Sequence, residues 1–115
     1  MIIVAGHLDY ADSAARGSVL EAGKALQQAT RNEEPGCIAY AFSADPTHDG
    51  RIRVFELWAD TESLAAHFEH ANYHDMREVF HMHPRSGGEV RKYRCDLSEP
   101  MYDEAGNIRA DFITA

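Results

Sequence analysis

The chain has 115 residues and a mass of 12.9 kDa, room for one domain of ordinary size and not for two. Apolar residues make up 44% and charged residues 26%, so a packed core is expected and a disordered chain is excluded. Lys and Arg number 11 against 19 Asp and Glu, and the resulting charge of −8 repels polyphosphates, which argues against nucleic acid and anionic membranes as partners.

The β-branched run Ile2-Ile3-Val4, continuing through Ala5-Gly6-His7-Leu8, predicts a first strand, followed by turn and cap residues from Asp9 to Ser13. From Asp12 to about Arg31, Ala15, Val19, Ala22, Leu26 and Ala29 recur at helical spacing, with Arg16, Glu21, Lys24, Gln27 and Gln28 on the other face. Glu33-Glu34-Pro35-Gly36 ends that helix, because proline disfavours helical geometry in the residue before it. Cys37 to Ser43 predicts a second strand with Ile38, Tyr40 and Phe42 on one face. The turn Asp45 to Gly50 joins it to a third strand, Arg51 to Trp58. Asp60 or Thr61 caps a second helix whose inner stripe is Leu64, Phe68 and Ala71; Asn72 breaks or bends it, and a last helical stretch carries Met76, Val79 and Phe80. Pro84 and Gly87-Gly88 end that stretch, and Val90 to Leu97 is the fourth strand.

The order β-α-β-β-α-β defines an α+β, ferredoxin-like domain over residues 1–98, a four-stranded antiparallel sheet with its helices on one face. Residues 99–115 read as a C-terminal arm, too apolar at Met101, Tyr102, Ile108, Phe112 and Ile113 for a solvated end, and expected to pack on a partner. Two helices cover one sheet face only, so a homodimer with the two sheets face to face is expected. No run of ~20 apolar residues is present and the start lacks the pattern of a signal peptide, so a cytoplasmic protein that does not enter membranes is expected. Cys37 and Cys95 make no CxxC or Cys/His cluster and read as buried thiols.

Gly36-Cys37-Ile38-Ala39-Tyr40, Asp45-Pro46, Phe55-Glu56-Leu57-Trp58-Ala59-Asp60, Leu64-Ala65-Ala66-His67 and Tyr73-His74 resemble the antibiotic biosynthesis monooxygenase family of dimeric α/β-barrel proteins. The resemblance covers roughly residues 1–95 and implies that fold. For function it implies a scaffold with several uses: oxygenation of anthrones and quinols, haem degradation, autoinducer processing, or no turnover. Anthrone oxygenases of the family often carry an asparagine where this chain has Val54, and haem-degrading members carry one where it has His7; a haem ligand would fall near His74 to Arg77.

Seven histidines are present, five of them between His67 and His83. Histidine is the side chain most easily poised as acid or base near neutral pH. His67, near the rim of the buried stripe, and His7, on the first strand, are the candidate bases; a backbone-bonded core histidine and a residue at the dimer face are the plainer readings of the two. Trp58 can give an aromatic ligand a wall and an N–H donor, or simply fill the core. Glu56 shares its strand face and needs a partner if buried, as an ion pair or a catalytic carboxylate. Tyr40, Phe68, Tyr73, His74, Met76 and Phe80 are candidate substrate contacts, with Phe42 and Phe55 as further cavity candidates. His67, His70 and His74 are spaced for one helix side, but the bend at Asn72 misaligns them, so no metal site is expected. His70, His81 and His83 read as solvated.

No Rossmann or phosphate-loop glycine pattern gives flavin or nicotinamide a seat, so no cofactor is expected. The expected activity is cofactor-independent monooxygenation of a small phenol, quinol or polyketide-like aromatic. The alternatives are a non-catalytic dimer that binds a hydrophobic or aromatic small molecule and, third, a haem-binding or haem-degrading protein.

Overall fold

The computed structural model describes residues 1–113. Its elements are β1 (Ile2–Tyr10), α1 (Ser13–Glu33), β2 (Cys37–Ala44), β3 (Arg51–Trp58), α2 (Thr61–Glu69), α3 (Ala71–Phe80) and β4 (Arg85–Arg94). The four strands form one antiparallel sheet in the order β2-β3-β1-β4, the ferredoxin-like arrangement, and the sheet does not close on itself. Trp58, Ile52, Val19, Leu64 and Met76 are buried between the helices and the sheet.

The α1 helix starts where expected, with Asp12 Oδ1 accepting the Ala15 N–H at 2.8 Å. It runs to Glu33 and stops at the expected Glu33-Glu34-Pro35-Gly36 segment, but its inner face is rotated. Val19, Gly23 and Thr30 are buried while Ala22 is exposed. Arg16 and Gln27, read as outer-face residues, turn inward because the backbone of the sheet edge needs their donors. Gln27 donates to the Phe42 carbonyl and accepts the Phe42 N–H, both at 3.1 Å, and Arg31 Nε donates to the Tyr40 carbonyl at 2.7 Å.

In β2, Cys37 pairs with Trp58 but Ala39 pairs with Leu57, so Ile38 is an extra residue in a bulge. Its side chain is therefore exposed, while Tyr40 and Phe42 keep the inner face. Asp60 caps α2, accepting the Ser63 N–H at 2.7 Å. The break that follows falls at His70, not Asn72: His70 ends α2 and caps α3, its Nδ1 accepting the Asn72 N–H at 3.0 Å. Phe68 is half-exposed, and the inner position of α2 belongs to His67.

The β4 strand begins five residues before the expected Val90, and Gly87 and Gly88 lie inside it, opposite Asp9 and Leu8. They allow close approach to β1 instead of stopping a helix: Gly88 has φ 147°, and a Cβ there would sit 2.9 Å from the His7 carbonyl oxygen. Among the described residues no helix covers β4, and all ten residues of the strand are exposed. Cys37 and Cys95 are free and half-buried, less enclosed than expected. Beyond β4, Tyr102 and Ile108 form an isolated bridge around a turn in which Asp103 Oδ1 accepts the Asn107 N–H. The last two positions of the expected arm lie outside the described residues.

Candidate functional site

A cleft of about 440 Å³ lies between α2, α3 and the inner sheet face, bounded on its far side by β4. Tyr40, Phe42, Phe68, Tyr73, Met76 and Phe80 line it together with Val4, Leu8, Val54 and Leu64, so its body is apolar. An imidazole and a carboxyl, those of His67 and Glu56, reach into that surface from the core, and His81 with cationic side chains of α3 and β4 forms its mouth.

His67 is 2% exposed and packed among aromatic rings: Trp58 at 4.5 Å between centroids, Tyr73 at 5.4 Å, Tyr40 at 5.6 Å and Phe68 at 6.0 Å. Its Nδ1 is 2.7 Å from Glu34 Oε1. Glu34, itself buried, is held in turn by Asn72 Nδ2, which donates to Glu34 Oε2 at 3.3 Å and to Glu33 Oε2 at 3.2 Å. A carboxylate only accepts, so the pair assigns the proton of the neutral ring to Nδ1 and leaves Nε2 with a lone pair for whatever occupies the cleft. Burial among the rings pushes His67 below the ordinary histidine value, against the pull of Glu34 in the opposite direction.

Glu56, on the inner face of β3, accepts the Trp58 indole N–H at 2.9 Å. Burial pushes its carboxyl up to about 7; the Trp58 bond works against this, and the charge of Glu34 adds to it. Glu56 therefore changes charge in the same pH range as a histidine does.

Among the residues expected from sequence, the structure brings His67, Tyr40, Phe68, Tyr73, Met76 and Phe80 to one cleft. Trp58 is fully buried behind His67 and does not line it, and its N–H is already taken by Glu56. His7 points to the other sheet face, because strand alternation puts Leu8 and Tyr10 inward; its Nδ1 lies 3.2 Å from Asp9, which Arg51 also binds. His74 and Phe55 are exposed and outside the cleft. His67, His70 and His74 do not converge, and among the described residues no group of three His, Cys, Asp or Glu could hold a metal ion. The Cys37 thiol, pushed up to about 11 by burial and by Glu34 and Glu56, stays protonated at neutral pH.

Sequence reasoning missed Glu34 and Asn72, read as a helix stop and a helix breaker. One signal was available: two acids at a helix C-terminus oppose the macrodipole, and an acid kept there against the dipole implies a partner.

The antibiotic biosynthesis monooxygenase family matches residues 1–79, and the chain belongs to that family. Among solved structures, a Deinococcus radiodurans protein assigned to these monooxygenases superposes with TM-score 0.76 at 18% identity, over 90% of this chain and all of its own. A crystal structure of an antibiotic biosynthesis monooxygenase gives 0.70 at 26% identity, over 84% of this chain and 100% of that one. A Bacteroides thetaiotaomicron protein of unknown function gives 0.68 at 24% identity, over 80% and 95% of the two chains. An uncharacterized Synechocystis protein is 40% identical over 45 residues, a stretch that is 39% of this chain and 31% of that relative. No helix is long and apolar enough to cross a membrane among the described residues.

Proposed function

We propose that the protein is a cofactor-independent monooxygenase that acts on a small phenol, quinol or polyketide-like aromatic. The observation that carries this reading is the Glu34–His67 pair, which holds an imidazole by its Nδ1 in the wall of an apolar, aromatic-lined cleft. His67 Nε2 takes the acidic proton of the substrate, and the electron-rich anion passes one electron to O2. The radical pair recombines to a peroxide, and loss of water leaves a carbonyl: a CH2 centre and O2 become C=O and H2O, with all four electrons drawn from the substrate. The ring-lined cleft keeps water from the intermediate. Glu34 is a positioning residue that holds the His67 tautomer, and Asn72 holds Glu34.

Oxygen uptake with an anthrone and quinol panel, in chelator and without flavin or NAD(P)H, tests the reading. His67→Ala is expected to lower kcat about 10²–10⁴-fold. The rate should rise with pH and level off below the ordinary histidine value, since burial holds His67 low. Glu34→Gln should lower kcat and move that limb to still lower pH, because the charge that pulls His67 upward is gone. Background autoxidation across the panel, with an aromatic ligand still bound, leaves the binding-protein reading in its place.

Family membership also supports a homodimer, cytoplasmic, in which two open sheet faces meet and close the sheets into a dimeric α/β barrel. Ile3, Ala5, Leu57, Phe55 and Tyr93 share that face, the last two being 44% and 49% exposed. Residues 99–115 then form an arm that reaches the partner of the 1–98 domain, consistent with the exposure of Met101, Tyr102, Ile108 and Phe112.

A further inference from the structure

The charge of the cleft mouth is opposite to that of the molecule. In a chain of net charge −8, Arg77 from α3 and Arg85, Arg91 and Lys92 from β4 line this one cleft, and among the described residues Glu56 is the only acid that does. Glu56 carries only part of a negative charge at neutral pH, because burial holds it near 7.

Most other cations of the protein are already committed. Arg16 and Arg31 donate to carbonyls along β2 and its turn, and Arg51, Arg53, Arg94 and Arg109 bind Asp9, Asp45, Asp96 and Asp111. Arg91 makes one long contact, 3.3 Å, with exposed Glu89. Among the described residues the side chains of Arg77, Arg85 and Lys92 have no hydrogen-bond or ion-pair partner, and all three point to the same opening. Lys92 pairs with Val4, which puts it on the inner sheet face, across the cleft from the helix that carries Arg77. This face of β4 is bare of helix, so the cations are free to turn toward a ligand.

We propose that the cleft binds an aromatic molecule bearing a carboxylate, its ring between Tyr40, Phe42, Phe80 and Tyr73 and its anionic group held at the mouth by Arg77, Arg85 and Lys92. An apolar body of about 440 Å³ with cations confined to one end suits a compact amphipathic anion. Polyanions are disfavoured by the charge of the remaining surface. A carboxylate at the mouth also orients the ligand, since it leaves the opposite end of the ring system facing His67. The proposal rests on the cleft being the ligand site and does not depend on turnover.

The test is calorimetric binding of naphthoate and of its neutral counterpart naphthylmethanol, to the unaltered protein and to a variant combining Arg77→Gln, Arg85→Gln and Lys92→Gln. Naphthoate is expected to bind about tenfold more tightly at low salt, as a charge-assisted hydrogen bond allows. The preference should shrink at high salt and vanish in the variant, while naphthylmethanol affinity stays the same and reports an intact cleft. Salt dependence in the unaltered protein gives a second readout should the variant fail to fold. Equal affinities, no binding of naphthoate, or a preference that survives the three substitutions overturns the proposal. Charge-selective binding without oxygen uptake removes only the monooxygenase reading; uptake on neutral quinols without charge preference removes only this one.

Discussion

Glu56 and His67 sit in the same aromatic nest and respond to it in opposite ways, because burial disfavours the charged form of each. The folded protein keeps the Glu56 proton up to about pH 7, whereas the unfolded chain releases it near 4.5. The stability from this carboxyl is full below that lower value and is lost as the pH rises toward 7. His67, pushed down, contributes the reverse: folding opposes its protonation, so stability falls as the pH drops below the ordinary histidine value of 6.5. Glu56→Gln keeps an acceptor for the Trp58 N–H and removes the charge. Urea unfolding should find the variant more stable than the parent at pH 8, by up to about 3 kcal/mol, with the gain fading toward pH 4.5. An equal difference at both ends would mean that Glu56 is not desolvated in the folded state.

At the scale of elements, β2 is an edge strand, and an unpaired edge invites pairing with other chains. The protein covers it with side chains of α1, since Gln27 meets both the N–H and the carbonyl of Phe42 and Arg31 meets the Tyr40 carbonyl. Gln27→Ala should cost about 1–2 kcal/mol for two hydrogen bonds. It should also raise light scattering on mild heating; a variant with unchanged unfolding midpoint and scattering would show that the bonds are replaced by water without loss. The same contacts explain the rotated face of α1: the helix answers to polar groups of the sheet edge as well as to the core.

For the whole molecule, the two sheet faces differ. The inner face of β1, β2 and β3 is packed by helices, while the outer one leaves Phe55 and Tyr93 half-exposed beside Ile3 and Leu57. Sedimentation is expected to give twice 12.9 kDa at micromolar concentration. Phe55→Glu should shift the species toward monomer with little change in helical circular dichroism, because a charge would be buried at the interface. A stable monomer of the unaltered chain would remove the barrel and the role of the arm together. Removing residues 99–115 should weaken the dimer without unfolding the 1–98 domain.

The sequence alone determined the element order, the capping segments Asp9 to Ser13 and Asp60-Thr61, and the candidate cleft residues Tyr40, Phe68, Tyr73, Met76 and Phe80 around His67, because periodicity and capping are local signals. Helix phase, strand start and side-chain direction needed the tertiary structure. Gly87 and Gly88 look like a stop until β1 lies against them, and Ile38 looks like core until the bulge turns it out. His7 and His67 are equally plausible bases in the sequence; strand parity sends one to the outer face, and a helix inner face takes the other into the core. Glu34 and His67 are 33 positions apart, and no local rule pairs them. Only the packing of the α1 C-terminus against α2 and α3 brings a carboxylate, an imidazole and an amide to one point, and the mouth cations likewise depend on β4 lying across the cleft from α3.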